Sequence, residues 1–140
     1  LANVVDAGVP VDLHGLRCTP LRMLHGRLPV LAWRLEALDA AGAVASEQPG
    51  PLPLVWATDV SGIPPETWPG LEGLRTLFLD MLRERAHPTH FTVDEAIGVA
   101  ERVAADRTWF IHMTHDIRHA ELDPRLPDGM QLAWDGLVVD

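Results

Sequence analysis

The segment Arg107–His119, RTWFIHMTHDIRH, constrains this chain more than any other. Thr108, Trp109, Phe110 and Ile111 form a β-branched and aromatic run, which predicts a short buried strand. His112, His115, Asp116 and His119 follow at once. Imidazoles and a carboxylate at the C-terminal end of a buried strand belong on the rim of a sheet, where α/β proteins place their ligands. His115 and His119 stand four apart, so they share one face if a helix begins here. The plainer alternative is that single histidines cap the strand or pair with Asp116.

The rest of the chain supplies the sheet that such a strand needs. Val9–His14 and Leu16–Leu24 read as strands broken at Gly15, and Pro20 inside the second predicts an edge or a bulge. Leu28–Leu38 has both strand and helix readings, with strand preferred for Val30–Leu35. Ala40–Pro53, rich in Ala, Gly and Pro, reads as a mobile excursion that core packing does not need. Leu54–Thr58 and Leu74–Leu79 are short apolar strands running into Asp59 and Asp80. Between them, Glu66–Trp68 begins at most one helical turn. The clearest helix is Val93–Ala104, where Thr92 and Glu95 form a capping box and Val93, Ala96, Ile97, Ala100 and Val103 recur at helical spacing. Met130–Ala133 is a last strand, and Asp135-Gly136 signals a hairpin into Leu137–Val139. This order predicts an α/β or α+β chain with a mixed sheet.

Composition narrows the chemistry. A length of 140 residues suits one domain with a real core. The formal charge of −9 argues against gripping a nucleic-acid backbone. All eleven positive residues are arginine, which excludes a lysine nucleophile, Schiff base or phosphate-loop lysine within this chain. No apolar run approaches the roughly 18 residues that span a bilayer. With no signal-peptide pattern and one cysteine, Cys18, the expectation is a cytoplasmic chain that meets no membrane. Cys18 is read as a small core side chain and the five tryptophans, at 33, 56, 68, 109 and 134, as core or interface residues, with packing the reason for the strand-interior Trp56 and Trp109.

Three polar residues each end a separate predicted strand: His25, Asp59 and His112. Strands of one sheet bring their ends together, and imidazole with carboxylate suits zinc, iron or manganese. A single such residue is more simply a turn former or a cap; the coincidence of three gives the metal reading its weight.

The segments LHG at 24–26, ATDVSGIP at 57–64, LD at 79–80, HPTHFTVDEA at 87–96, HMTHD at 112–116 and LAWDGL at 132–137 resemble the C-terminal half of a metallo-β-lactamase-fold hydrolase. Within that superfamily they are most similar to the phosphoribosyl cyclic phosphate phosphodiesterases of phosphonate metabolism. The resemblance implies the C-terminal half of a four-layer αββα sandwich, a mixed sheet with flanking helices, with 40–53 as an insertion loop. It implies two divalent metal ions, zinc or manganese. His25 would ligate the first, Asp59 would bridge both, and His112 would ligate the second. His90 would stand near the scissile phosphate as general acid, and Asp80 would orient a ligand imidazole. For His115 and His119 the choice is between substrate contact and local structure.

The superfamily's His-x-His-x-Asp-His motif is absent from these residues. It belongs to the N-terminal half of the fold, so residues 1–140 are expected to be a partial domain, inactive alone, whose partner is that other half. The complete domain is expected to open a small cyclic phosphate ester with metal-activated hydroxide. The 40–53 loop is read as a lid or a dimer contact, and a homodimer is a further expectation. Two alternatives stay open: a non-catalytic fragment of the same fold, and a hydrolase of the same fold acting on a thioester, a lactone or an RNA phosphodiester.

Overall fold

A computed structural model describes residues 4–140 of the chain. Seven strands form one sheet in sequence order: β1 (Val11–Leu13), β2 (Leu16–His25), β3 (Leu28–Ala37), β4 (Leu54–Ala57), β5 (Thr76–Asp80), β6 (Arg107–Ile111) and β7 (Met130–Leu132). The first four are antiparallel to their neighbours, and β4 through β7 run parallel. Because β2 and β4 are both antiparallel to β3, they point the same way. The C-terminal ends of β2, β4, β5 and β6 therefore share one rim.

Strand alternation divides the sheet into two unlike faces. On one, Ala57, Leu79, Phe110 and Leu132 stand side by side across β4–β7, each at most 1% exposed. Helix α1 (Val93–Val103) closes this face with Val93, Ala96 and Ala100. Its start is fixed by the capping box: Thr92 Oγ1 accepts the Glu95 N–H, and the Glu95 carboxylate accepts the Thr92 N–H at 2.9 Å. A 3-10 turn over Pro65–Leu71 buries Thr67 and Leu71, longer than the single turn expected there. No helix among the described residues is long and apolar enough to cross a membrane.

The other face carries Trp33, Trp56, Phe78 and Trp109 in register across β3–β6. Trp56 lies 4.8 Å from Phe78, centroid to centroid, and is still 45% exposed. Packing within the chain does not account for it, contrary to the sequence reading of a strand-interior tryptophan. An aromatic strip on one side of a sheet is a surface built to be covered.

Three local expectations need correction. The Asp135-Gly136 turn forms, with Leu137 N–H donating to Trp134 O, but no hairpin follows it. Among the described residues β7 pairs only with β6, in parallel, and the tail turns back over the aromatic face. There Leu137 and Val139 line a cleft with Trp56 and Phe78, while Val138 faces solvent. Burial of alternate apolar side chains wins over a ladder on a three-residue strand.

Pro20 causes no bulge, since β2 and β3 pair without a break from Leu16↔Ala37 to His25↔Leu28. Its carbonyl accepts the Gly8 N–H, so its backbone polar side points away from β3, beyond the last β1 pair. The 40–53 excursion, expected to be mobile, is tied by hydrogen bonds. Gln48 exchanges bonds with the Ala37 N–H and carbonyl, and Arg75 donates to the carbonyls of Gln48 and Gly50.

Candidate metal centre

His25 ends β2, Asp80 ends β5, and Asp59 and His112 follow β4 and β6 closely, so the common rim gathers them although they are distant in sequence. Asp59 and His112 both adopt left-handed backbone, with φ of 59° and 66°. That region is uncommon for residues other than glycine, with Asp and His among the more tolerant, and it clusters at functional sites. At Asp59 the turn sets the carbonyl toward β2, where it lies 3.1 Å from His25 Nδ1. The Asp59 carboxylate meanwhile approaches His112 Nε2 at 3.4 Å.

Asp80 is fully buried beneath this group. Its Oδ2 accepts the Val60 N–H at 2.7 Å and a bond from His90 Nδ1 at 2.8 Å. Among the described residues its Oδ1 has no hydrogen-bond partner, and it lies 3.7 Å from His112 Nδ1. Burial pushes the Asp80 carboxyl above its usual range, against the bonds from His90 and Val60 that hold it down. His90 comes from the loop before α1, pinned by Phe91 N–H to the Val60 carbonyl. Its ring stacks on His112 at 4.8 Å and meets His25 edge-on at 4.6 Å.

Among the described residues two ligand sets result, each with donor atoms within 4.8 Å of one another: His25–Asp59–His90 and Asp80–His90–His112. The donors are nitrogen and oxygen, suited to zinc, manganese or iron. A buried carboxylate oxygen without a partner needs an explanation, and a nearby cation gives one. The residues present thus fit a divalent ion.

The structure brings together His25, Asp59, Asp80, His90 and His112. His115 and His119 stay outside this cluster. His115 is almost fully exposed and faces Asp116 at 3.6 Å. His119 starts the short helix α2 (His119–Leu122) and approaches the Leu132 carbonyl through Nε2 at 3.2 Å. The shared helix face expected for the pair does not exist, because the helix begins only at His119.

His87 was not singled out in the sequence, yet its ring lies 5.0 Å from His90. Its spacing from His90 in HPTH was the one available signal. Partial burial, followed by the positive charge of Arg83, holds its pKa below the usual range.

The sequence profile of the β-lactamase superfamily domain family matches residues 2–113. The crystal structure of a diphosphatase from the PhnP family superposes with a TM-score of 0.80 at 34% identity, over 94% of this chain and 46% of that one. The metallo-β-lactamase fold protein YhfI from Bacillus subtilis gives a TM-score of 0.70 at 17% identity, over 96% of this chain and 54% of its own, a likeness of fold. An octanoyltransferase of Porphyromonas gingivalis is 30% identical over 135 residues, which are 95% of this chain and 24% of that protein. The chain therefore spans about a quarter of that curated relative and under half of the diphosphatase. With its sheet, its rim of histidines and aspartates and these matches, the chain belongs to the β-lactamase superfamily domain family and has the metallo-β-lactamase fold of hydrolases related to PhnP.

Proposed function

We propose that residues 1–140 form the C-terminal half of a metal-dependent phosphodiesterase that opens a small cyclic phosphate ester. The observation that carries this reading is the convergence of His25, Asp59 and His112 on one rim, with His90 beside them. The 34% identity to a protein described as a diphosphatase favours phosphoryl chemistry. The octanoyltransferase match covers too little of that protein to argue for acyl transfer.

His25, Asp59 and His112 would hold two divalent ions, zinc or manganese, together with donors from the other half of the domain. When bound, the ions supply Lewis acidity and an activated water. His90 Nδ1 donates to the buried Asp80, so in the doubly protonated ring Nε2 would hold the proton that passes to the departing oxygen. Asp80 acts on the reaction through His90, by fixing which nitrogen faces the substrate. The wall of rings formed by His25, His90 and His112 lines one side of the space where a phosphate would sit. Burial of His90 and Asp80 keeps water from that hydrogen bond.

The aromatic strip of Trp33, Trp56 and Phe78 is the surface on which the N-terminal half would pack. This chain alone would then be inactive, with an incomplete donor set.

Phosphorus NMR of the complete domain tests the reading. A cyclic phosphodiester is expected to be opened to a single monoester, faster than thioesters, lactones or RNA are cleaved. In the same domain, His90→Ala is expected to lower turnover by about 10²–10⁴-fold while metal content is unchanged. Preference for a thioester or lactone, or loss of metal without loss of intrinsic rate, would replace it.

A further inference from the structure

The histidines of the rim are not equally prepared to bind metal. His25 Nδ1 faces the Asp59 carbonyl oxygen, which can only accept, so that nitrogen carries the proton. His90 Nδ1 faces the buried carboxylate of Asp80 at 2.8 Å. In both rings the lone pair is left on Nε2. Metal-ligating histidines are held in this manner, with one N–H given to a carbonyl or carboxylate and the other nitrogen given to the ion.

His112 has no such anchor. Its two nitrogens face two carboxylates, Asp59 Oδ1 at 3.4 Å and Asp80 Oδ1 at 3.7 Å, and its side chain is over a third exposed. An ion among Asp80, His90 and His112 that took His90 Nδ1 would break the bond already joining that nitrogen to Asp80. An ion among His25, Asp59 and His90 would disturb neither anchoring bond.

We propose that this chain by itself holds one divalent transition-metal ion between His25 Nε2, an Asp59 carboxylate oxygen and His90 Nε2. The proposal rests on the metal reading of the rim given above and deepens it: no donor from a His-x-His-x-Asp-His motif is needed for this first ion. Each of the three residues has a ligand atom within 4.8 Å of the other two. Closing them on bonds of about 2.0–2.2 Å takes shifts on the order of an ångström or less. Three protein ligands leave a further position open, as in catalytic rather than structural zinc sites. Where the motif's donors are present they take over the coordination and release His90 for the phosphate.

Zinc titration calorimetry of the chelator-stripped chain, with its ¹H–¹⁵N imidazole spectrum recorded in parallel, tests this. One ion per chain is expected, with His90→Gln weakening it at least about tenfold. In the wild-type spectrum, zinc is expected to shift Nε2 of His25 and His90 and to leave His112 in place. That spectrum decides the matter even if His90→Gln fails to fold. A shift at His112 in place of His90 overturns the proposal and leaves the ligand set of the complete domain standing. No zinc binding, or two ions per chain, also overturns it. A failed substrate test on the complete domain would leave this binding result untouched.

Discussion

Val60 N–H and His90 Nδ1 both donate to the same buried oxygen, Oδ2 of Asp80, at 2.7 and 2.8 Å. One carboxylate thus joins the loop after β4 to the loop before α1. Asp59 is the neighbour of Val60 in the first loop, and His90 lies in the second, so the bond pair fixes the spacing of two candidate ligands. A side chain buried beneath the rim thereby helps to set its geometry.

Removing that carboxylate leaves two buried donors without an acceptor, each at a cost of about 1–3 kcal/mol. Asp80→Ala is therefore expected to destabilise the metal-free chain by about 2–6 kcal/mol in urea unfolding. Asp80→Asn keeps an oxygen for one of the donors and should cost less. Equal losses for the two variants would mean that the hydrogen bonds carry no weight.

Gly26 turns β2 into β3 directly beside His25, with φ at 63°. Its N–H donates to Ser61 Oγ at 2.8 Å, and a Cβ there would meet Thr89 Cγ2 at 3.0 Å and the Pro88 carbonyl at 3.3 Å. Gly26→Ala forces both a left-handed alanine and a push on the loop that carries His90. A stability loss of about 1–2 kcal/mol is expected, with weaker zinc affinity measured in the same samples. Unchanged affinity would separate this turn from the metal centre.

Trp56 stands exposed in the aromatic strip and takes no part in the rim. Replacing it by glutamate should leave the chain folded by circular dichroism while abolishing its association with a separately produced N-terminal half. Retained association would place that half on some other surface.

Much of this was legible where local chemistry decides the outcome. The capping box of Thr92 and Glu95 foretold α1 because both bonds close within four residues. His25, Asp59 and His112 could be grouped because parallel strands must end on the same rim, wherever they lie in the sequence. The Asp135-Gly136 signal misled because a turn dipeptide carries no information about the aromatic strip that draws Leu137 and Val139 away from a hairpin. The spacing of His115 and His119 misled similarly, since four residues apart means one face only inside a helix, and α2 begins too late. The anchoring of His90 on Asp80 and the approach of His87 depend on a loop folding back over the rim, for which no periodic pattern exists.

The proposed metal centre is built on His25 and Asp59. Its most direct test is an anomalous difference map, at the zinc edge, of a crystal of the 140-residue chain grown with zinc. A peak bonded to a His25 nitrogen and an Asp59 oxygen at about 2.0–2.2 Å is the predicted result. A map with no peak at the rim, or with zinc only at the surface carboxylates of Asp106, Asp123 and Asp128, would contradict it.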